Sequence, residues 1–78
     1  MKWKKKPIDY PIKPGKIYYT NGGVLVKVYP ASVGGHYPLY GVKHEDDANN
    51  FFVVFYNVDG CPPEKDSVNE LVWEAYEA

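Results

Sequence analysis

The chain has no arginine among its 78 residues, one cysteine and two histidines. Because guanidinium forks are the preferred readers of phosphates and guanine edges, the lack of arginine argues against sequence-specific recognition of nucleic acid. The single cysteine, Cys61, cannot form an internal disulfide, which is typical of a reducing compartment. No apolar run approaches the roughly 18 residues that a membrane-spanning helix needs. These absences predict a soluble cytoplasmic protein with no membrane partner.

Groups that could carry catalysis or hold a metal are also few. His36 and His44 are the only imidazoles, and two prolines follow Cys61. A dyad of Cys61 with one histidine is the only catalytic alternative. Residues 44–47 place one histidine and three acids in a row, but consecutive residues on an extended turn do not converge on one ion. We therefore expect no enzyme activity, no cofactor and no metal site.

Aromatic residues are plentiful. They make up 17% of the chain, eight of them are tyrosines, and apolar residues reach 45%. Such a composition excludes a disordered chain, and a chain of this length forms one domain with one core. Tyrosine suits interfaces and flat ligands because a rigid apolar ring ends in a polar hydroxyl, although it is also an ordinary strand residue.

Charge is divided unevenly along the chain, although the net charge is −1. Residues 1–16 carry six lysines and one aspartate, whereas residues 44–78 carry nine acids and one lysine. This asymmetry is typical of a basic arm for an anionic partner, or of two ends that attract each other. The run Lys4, Lys5 and Lys6 could contact phosphates, with a solvated tail as the alternative.

Turn and strand patterns predict an all-β protein. Prolines and a glycine over residues 1–15 indicate an extended basic arm, and residues 16–78 read as a single small β domain. The predicted strands span residues 16–20, 24–29, 36–43 and 51–58. Residues 67–76 fit a closing strand, with a short C-terminal helical turn as the alternative. The expected architecture is a small curved antiparallel sheet or open barrel of about five strands.

The segment 51–58 leaves both faces of a strand apolar in a chain too small to cover both. Alternation puts Phe51, Val53 and Phe55 on one face and Phe52, Val54, Tyr56 and Val58 on the other. The surplus face predicts a partner, most simply a second copy of the chain in a homo-oligomer. The residues assigned to this interface are Phe51, Phe52, Val54 and Tyr56.

A glycine-rich segment over residues 34–41 is the predicted centre of a ligand site. Its glycine amides could cradle an anion, and its histidine and tyrosines offer donors and stacking faces. An ordinary loop anchored by a tyrosine is the alternative. The candidate ligand-binding residues are Gly34, Gly35, His36, Tyr37 and Tyr40, together with Lys4, Lys5 and Lys6.

Four short motifs follow one another along the chain. They lie at residues 19–23, 35–41, 54–60 and 69–72. Together they resemble a set of small phage and prophage proteins, which carry a threonine-x-aspartate-glycine hairpin, a glycine-aspartate-tyrosine-proline stretch, an aromatic strand ending in aspartate-glycine and a terminal aspartate-leucine-valine. The chain departs from this pattern where His36 replaces an aspartate and where Asn69 and Glu70 replace the last one. The resemblance covers about residues 16–72 and implies a phage origin rather than an activity.

Phage accessory proteins of this size commonly act against host defences, and this resemblance shapes the functional expectation. The leading hypothesis is a non-enzymatic protein in the host cytoplasm that sequesters a small anionic ligand, a nucleotide immune signal of an anti-phage defence system. One alternative is a protein–protein inhibitor of a host defence factor. Another is a small nucleic-acid-associated phage protein.

Overall fold

The structure is a computed structural model that describes residues 3–32, 35–44, 53–63 and 67–77. Its strands are β1 (Trp3–Lys6), β2 (Ile17–Thr20), β3 (Leu25–Pro30), β4 (Leu39–Lys43), β5 (Val53–Tyr56) and β6 (Leu71–Glu77). They form one antiparallel sheet in the order β1-β6-β2-β3-β4-β5. The all-β prediction is confirmed, and the closing segment is a strand rather than a helical turn. No helix in the described ranges is long and apolar enough to cross a membrane.

β2 and β3 match two of the predicted strands and form a hairpin around the Asn-Gly-Gly turn. The amide of Gly23 donates to the carbonyl of Thr20 at 2.9 Å, and Tyr18 on β2 pairs with Val26 on β3. Gly23 has a φ of +87°, a left-handed conformation that glycine adopts without steric cost. The Thr20 hydroxyl accepts a hydrogen bond from the amide of Val24 at 3.1 Å, which closes the turn. Local turn chemistry therefore sets the register of this hairpin.

The basic arm joins the sheet and adds a sixth strand to the five expected. β1 pairs antiparallel with β6, with Lys5 opposite Ala75 and Lys6 opposite Glu74. Oppositely charged cross-strand neighbours favour such a pairing. Residues 7–15 leave the sheet and cross one of its faces, where Ile12 is buried. Residues 3–15 therefore belong to the folded domain, with residues 3–6 in the sheet and a bend and a turn in the segment that follows.

One side of the sheet, here called the core face, holds the hydrophobic core. The core residues are Ile12, Tyr18, Val26, Val28, Leu39, Tyr56 and Leu71. The segment that contains Ile12 and the turn after β5 cover this face. A hydrogen bond of 2.8 Å, which the amide of Ile12 donates to the carbonyl of Val58, joins the two segments. Gly60 in that turn has a φ of +79° and lies close beneath Leu71. The core is therefore bounded by one sheet layer and one layer of loops.

The opposite side of the sheet, here called the open face, is less covered. Strand alternation and the cross-strand register assign to it Lys5, Tyr19, Lys27, Tyr29, Tyr40, Val53, Phe55 and Trp73. Trp73 is 42% exposed and Phe55 is 47% exposed. Curvature closes one corner of this face, since the rings of Trp3 and His44 meet edge to face with centroids 5.4 Å apart. The remainder presents aromatic rings to solvent.

β5 is apolar on both faces, as the sequence indicates, but the predicted interface needs correction. Tyr56 is fully buried, and its hydroxyl donates to the Asn69 carbonyl at 2.7 Å. Val54 packs against the core beside it. Phe51 and Phe52 lie outside the described residues. Alternation alone cannot tell which of two apolar faces is buried, and the exposed face carries Val53 and Phe55 instead.

Candidate ligand-binding face

Three rings form a row across β3, β4 and β5 on the open face, and we call Tyr29, Tyr40 and Phe55 the aromatic cluster. Tyr40 is directly opposite Tyr29 on one side and Phe55 on the other. The rings of Tyr29 and Tyr40 stack with centroids 5.5 Å apart and planes 24° apart, and Phe55 is tilted at 6.4 Å from Tyr40. Such cross-strand pairs stabilise a sheet by themselves. Here they also leave ring surface open to a flat molecule.

A cavity of about 250 Å³ lies beside the aromatic cluster. Ala31, Ser32, Tyr40, Val53 and Phe55 line it. The volume lies just below the roughly 300–1,000 Å³ of ordinary small-molecule sites. The walls are apolar apart from the two hydroxyl-bearing side chains. The cavity therefore suits one planar ring system with the rest of the ligand outside.

Two lysines bring positive charge to the open face. Lys27 Nζ lies 5.6 Å from the ring centroid of Tyr29, and Lys5 Nζ lies 5.0 Å from that of Tyr19. An ammonium group over a ring is held by the negative charge of the ring face. Lys27 is therefore positioned next to the aromatic cluster, where it can contact an anionic group of a ligand stacked there.

The glycine-rich segment reaches this site only in part. Tyr40 is in the aromatic cluster, whereas Gly35 and His36 are exposed and Tyr37 is partly buried. Gly34 lies outside the described residues. The amide of Ala31 donates to the carbonyl of Pro38 at 2.8 Å, so the two sides of this connection are held together at the edge of the cavity. Tyr40 is thus the predicted ligand residue whose placement fits a binding site best.

The predicted lysines do not gather at the glycine-rich segment. In the strand order β1 is separated from β4 by β6, β2 and β3, and the curvature that brings Trp3 to His44 does so at the end of β4 away from the glycine-rich segment. Lys5 shares the open face with Tyr40, while Lys4 and Lys6 alternate to the opposite face. Lys6 Nζ is bound to Glu74 Oε2 at 3.1 Å and has a structural role instead. Of the three lysines, Lys5 alone lies on the same face as the site.

Sequence reasoning missed Tyr29, Phe55 and Lys27 as members of one site. All three fall in predicted strands, but Phe55 is 26 positions from Tyr29 and 28 from Lys27 along the chain. They become neighbours through the pairing of β3 with β4 and of β4 with β5. Only the cross-strand register of the sheet could have predicted that these residues are neighbours. The sequences of the turns do not determine that register for β5.

Glu74 is a buried acid on the core face with two lysine partners. It is 5% exposed, and its carboxylate lies 3.1 Å from Lys6 Nζ and 3.4 Å from Lys16 Nζ. Burial by itself raises the pKa of this carboxyl, but the hydrogen bonds and charges of the two lysines outweigh burial and hold the pKa below its ordinary value. The ion pairs therefore connect β1 and the start of β2 to β6.

Acid is expected to remove the stability that Glu74 contributes. Because its folded pKa is lowered, the contribution is complete above the unfolded value of about 4.3 and is lost as the pH falls through the folded pKa. Glu74→Gln should destabilise the protein by about 1–2 kcal/mol at pH 7, since both lysines are half exposed. Urea unfolding of both proteins from pH 7 to pH 3 measures this. The difference should shrink with acid, and Glu77→Gln at an exposed position is the control; a pH-independent difference contradicts the prediction.

Cys61 has the properties of an unreactive thiol. Burial raises the pKa of the Cys61 thiol, and the negative charges of Glu70 and Asp59 raise it further. Its Sγ lies 3.9 Å from Glu70 Oε1. A raised pKa favours the protonated form, which is a poor nucleophile. Across the ranges with assigned structure, histidine, cysteine and acidic residues form no group of three or more that could hold a metal.

No family model matches the chain, and neither a curated protein nor a solved structure matches it.

Proposed function

We propose that this protein is a non-enzymatic binding protein that captures a small planar anion of the nucleotide class on its open face. The observation that carries the proposal is the stacked pair of Tyr29 and Tyr40 beside a cavity. The ammonium group of Lys27 lies over the Tyr29 ring of this pair. These elements supply a stacking surface, a recess for one ring and a positive charge within one short stretch of sheet.

Stacking would provide much of the affinity. Base stacking on an aromatic side chain contributes about 1–3 kcal/mol per base, and it requires little besides an accessible ring face. Phe55 is 47% exposed and lines the cavity together with Tyr40, so its ring can contact a base placed there. The phosphate of the same ligand would meet the Lys27 ammonium, which already lies over Tyr29. Neither contact needs a catalytic group.

The setting proposed for this activity rests on the resemblance of the four sequence motifs to small phage proteins. That likeness supports a role in the cytoplasm of an infected host, where capture of a nucleotide immune signal would prevent a defence system from responding. Capture requires only that the protein bind the signal tightly and be abundant, which suits a small domain.

Calorimetric titration with linear mononucleotides, cyclic mononucleotides and cyclic dinucleotides tests the proposal. We expect at least one to bind, and Tyr40→Ala to weaken that binding by about 10- to 100-fold through loss of stacking. Tyr40→Phe keeps the ring and should bind nearly as well as the original protein. Tyr76→Ala, at an exposed tyrosine on the opposite face, is the matched control.

Two results would contradict this function. The first is a panel in which no nucleotide binds the folded protein. The second is equal weakening by Tyr40→Ala and Tyr76→Ala, because the two side chains lie on opposite faces of the sheet.

Trp73 favours a second candidate, inhibition of a host defence protein. This side chain is 42% exposed on β6, three strands from β4, so a small ligand at the cavity would not cover it. Tryptophan is prominent among residues that dominate protein–protein binding energy. Affinity capture from a host lysate would distinguish the candidates: a stoichiometric protein partner that Trp73→Ala releases and Tyr40→Ala retains favours inhibition.

A further inference from the structure

The two edge strands of the sheet differ sharply in charge. β1 has three lysines among its four residues, whereas β5, with the sequence Val-Val-Phe-Tyr, has no charged residue. Within the described ranges, each of these strands pairs with a single neighbour, β6 and β4 respectively. Lysines on an edge strand prevent unwanted pairing with other chains, and an uncharged apolar edge lacks that protection. The β5 edge is therefore the one suited to add a strand.

We propose that the β5 edge pairs antiparallel with β5 of a second copy of this chain, so that the two sheets become continuous. A twofold axis through the middle of β5 makes the two β5 strands partners of each other. Both apolar β5 edges are then paired, so the assembly closes as a dimer. Uncharged strands meet without like-charge repulsion, whereas β1 against β1 would bring three lysines against three.

The alternation of side chains restricts the register of this pairing. Directly opposite residues of an antiparallel pair point to the same face of the sheet. A register centred on Val54 puts Val53 opposite Phe55 of the second copy and keeps both open faces on one side. Val53 is 40% exposed and Phe55 is 47% exposed, so the contact covers apolar surface that one copy leaves in water.

The dimer would also extend the candidate site. Phe55 ends the aromatic cluster at the β5 edge, so the second copy would place its Val53 beside Phe55 and its own three rings in the neighbouring row, two residues along the strand. The cavity is bounded on this side by Val53 and Phe55, and the second copy would add a wall there. This extension of the site rests on the proposed function, whereas the pairing itself does not.

Sedimentation velocity without ligand, over a wide range of protein concentration, tests the pairing. A strand of four residues makes a small interface, so we expect a concentration-dependent equilibrium of monomer and dimer. Val53→Lys should weaken the dimer at least tenfold, because it brings an ammonium group into the apolar contact. Trp73→Lys adds the same charge to the same face away from β5 and should dimerise like the original protein.

Far-ultraviolet circular dichroism and urea unfolding verify that both variants are folded. A folded protein that stays monomeric at all concentrations overturns the inference. Equal dissociation by Val53→Lys and Trp73→Lys also overturns it, since that result indicates packing of face against face. Either outcome leaves nucleotide capture by single copies intact, whereas failure of every nucleotide in calorimetry would refute the proposed function without affecting the dimer.

Discussion

Replacement of Gly41 by valine is expected to destabilise the protein by about 3 kcal/mol or more, which is large against the roughly 5–15 kcal/mol that stabilises small domains. Gly41 lies on β4 and points to the core face, where a Cβ would overlap Val26 Cγ1 and would lie 2.7 Å from Tyr56 Cε2. Both of those side chains are fully buried and cannot move aside without disturbing the core. The Tyr56 ring occupies the space that a side chain at position 41 would need.

Strand propensity alone predicts the opposite sign for this change. Valine is favoured over glycine in strands, but that scale spans only about 1 kcal/mol, so the steric overlap should decide the outcome. Urea unfolding monitored by circular dichroism measures the difference. Gly41→Ala should show a smaller loss, and it should be less harmful in a Val26→Ala background than alone, because one of the two overlapping groups is then gone. An unchanged unfolding midpoint for Gly41→Val would mean that the Tyr56 ring does not lie over this glycine.

Tyr56→Ala is expected to destabilise the protein by about 3–5 kcal/mol, the usual range for truncating a large buried aromatic residue. Its ring fills the core, and its hydroxyl donates to the Asn69 carbonyl at 2.7 Å. Tyr56→Phe keeps the ring and should cost about 1–2 kcal/mol through loss of that hydrogen bond. Equilibrium unfolding in urea resolves the two contributions.

The adjacent residue supplies the control for that experiment. Phe55→Ala removes an aromatic ring from the same strand, but this ring is exposed on the open face, so we expect a loss of about 1 kcal/mol or less. A larger loss for Phe55→Ala than for Tyr56→Ala would mean that the two faces of β5 are exchanged. The interface first expected, with Tyr56 facing a partner, would then be restored.

The elements that could be predicted from sequence are those specified by local chemistry. The β2–β3 hairpin follows from two glycines in a turn between alternating strands, and its paired residues are at most ten positions apart along the chain. β1 was harder to recognise because four residues with three lysines show no apolar alternation. It becomes a strand through a partner about 70 residues away, where Glu74 attracts Lys6.

The candidate site was predictable to a lesser degree. Tyr40 was identified because a glycine-rich segment precedes it, and glycines near tyrosines are a recognisable local pattern. Tyr29 and Phe55 join it only through strand pairing, and the choice between Phe55 and Tyr56 as the exposed residue depends on which ring the core can accommodate. Two consecutive aromatic residues carry no signal that distinguishes these roles, so a sequence pattern alone left the choice open.

The position of β6 between β1 and β2 has a consequence for how the chain reaches its folded state. β6 is the last of the described strands along the chain, yet it fills an interior place in the sheet, with β1 and β2 as its neighbours on either side. Both neighbours are far from β6 in sequence. The chain must therefore close large loops, at a cost in conformational entropy, before the contacts of β6 with β1 and β2 stabilise the fold. The β2–β3 hairpin can form early on the ribosome, but the N-terminal lysines have no strand to pair with until residues 71–77 emerge. The six-stranded sheet is therefore completed only after residues 71–77 have emerged, and its folding should be slow for a domain of this size.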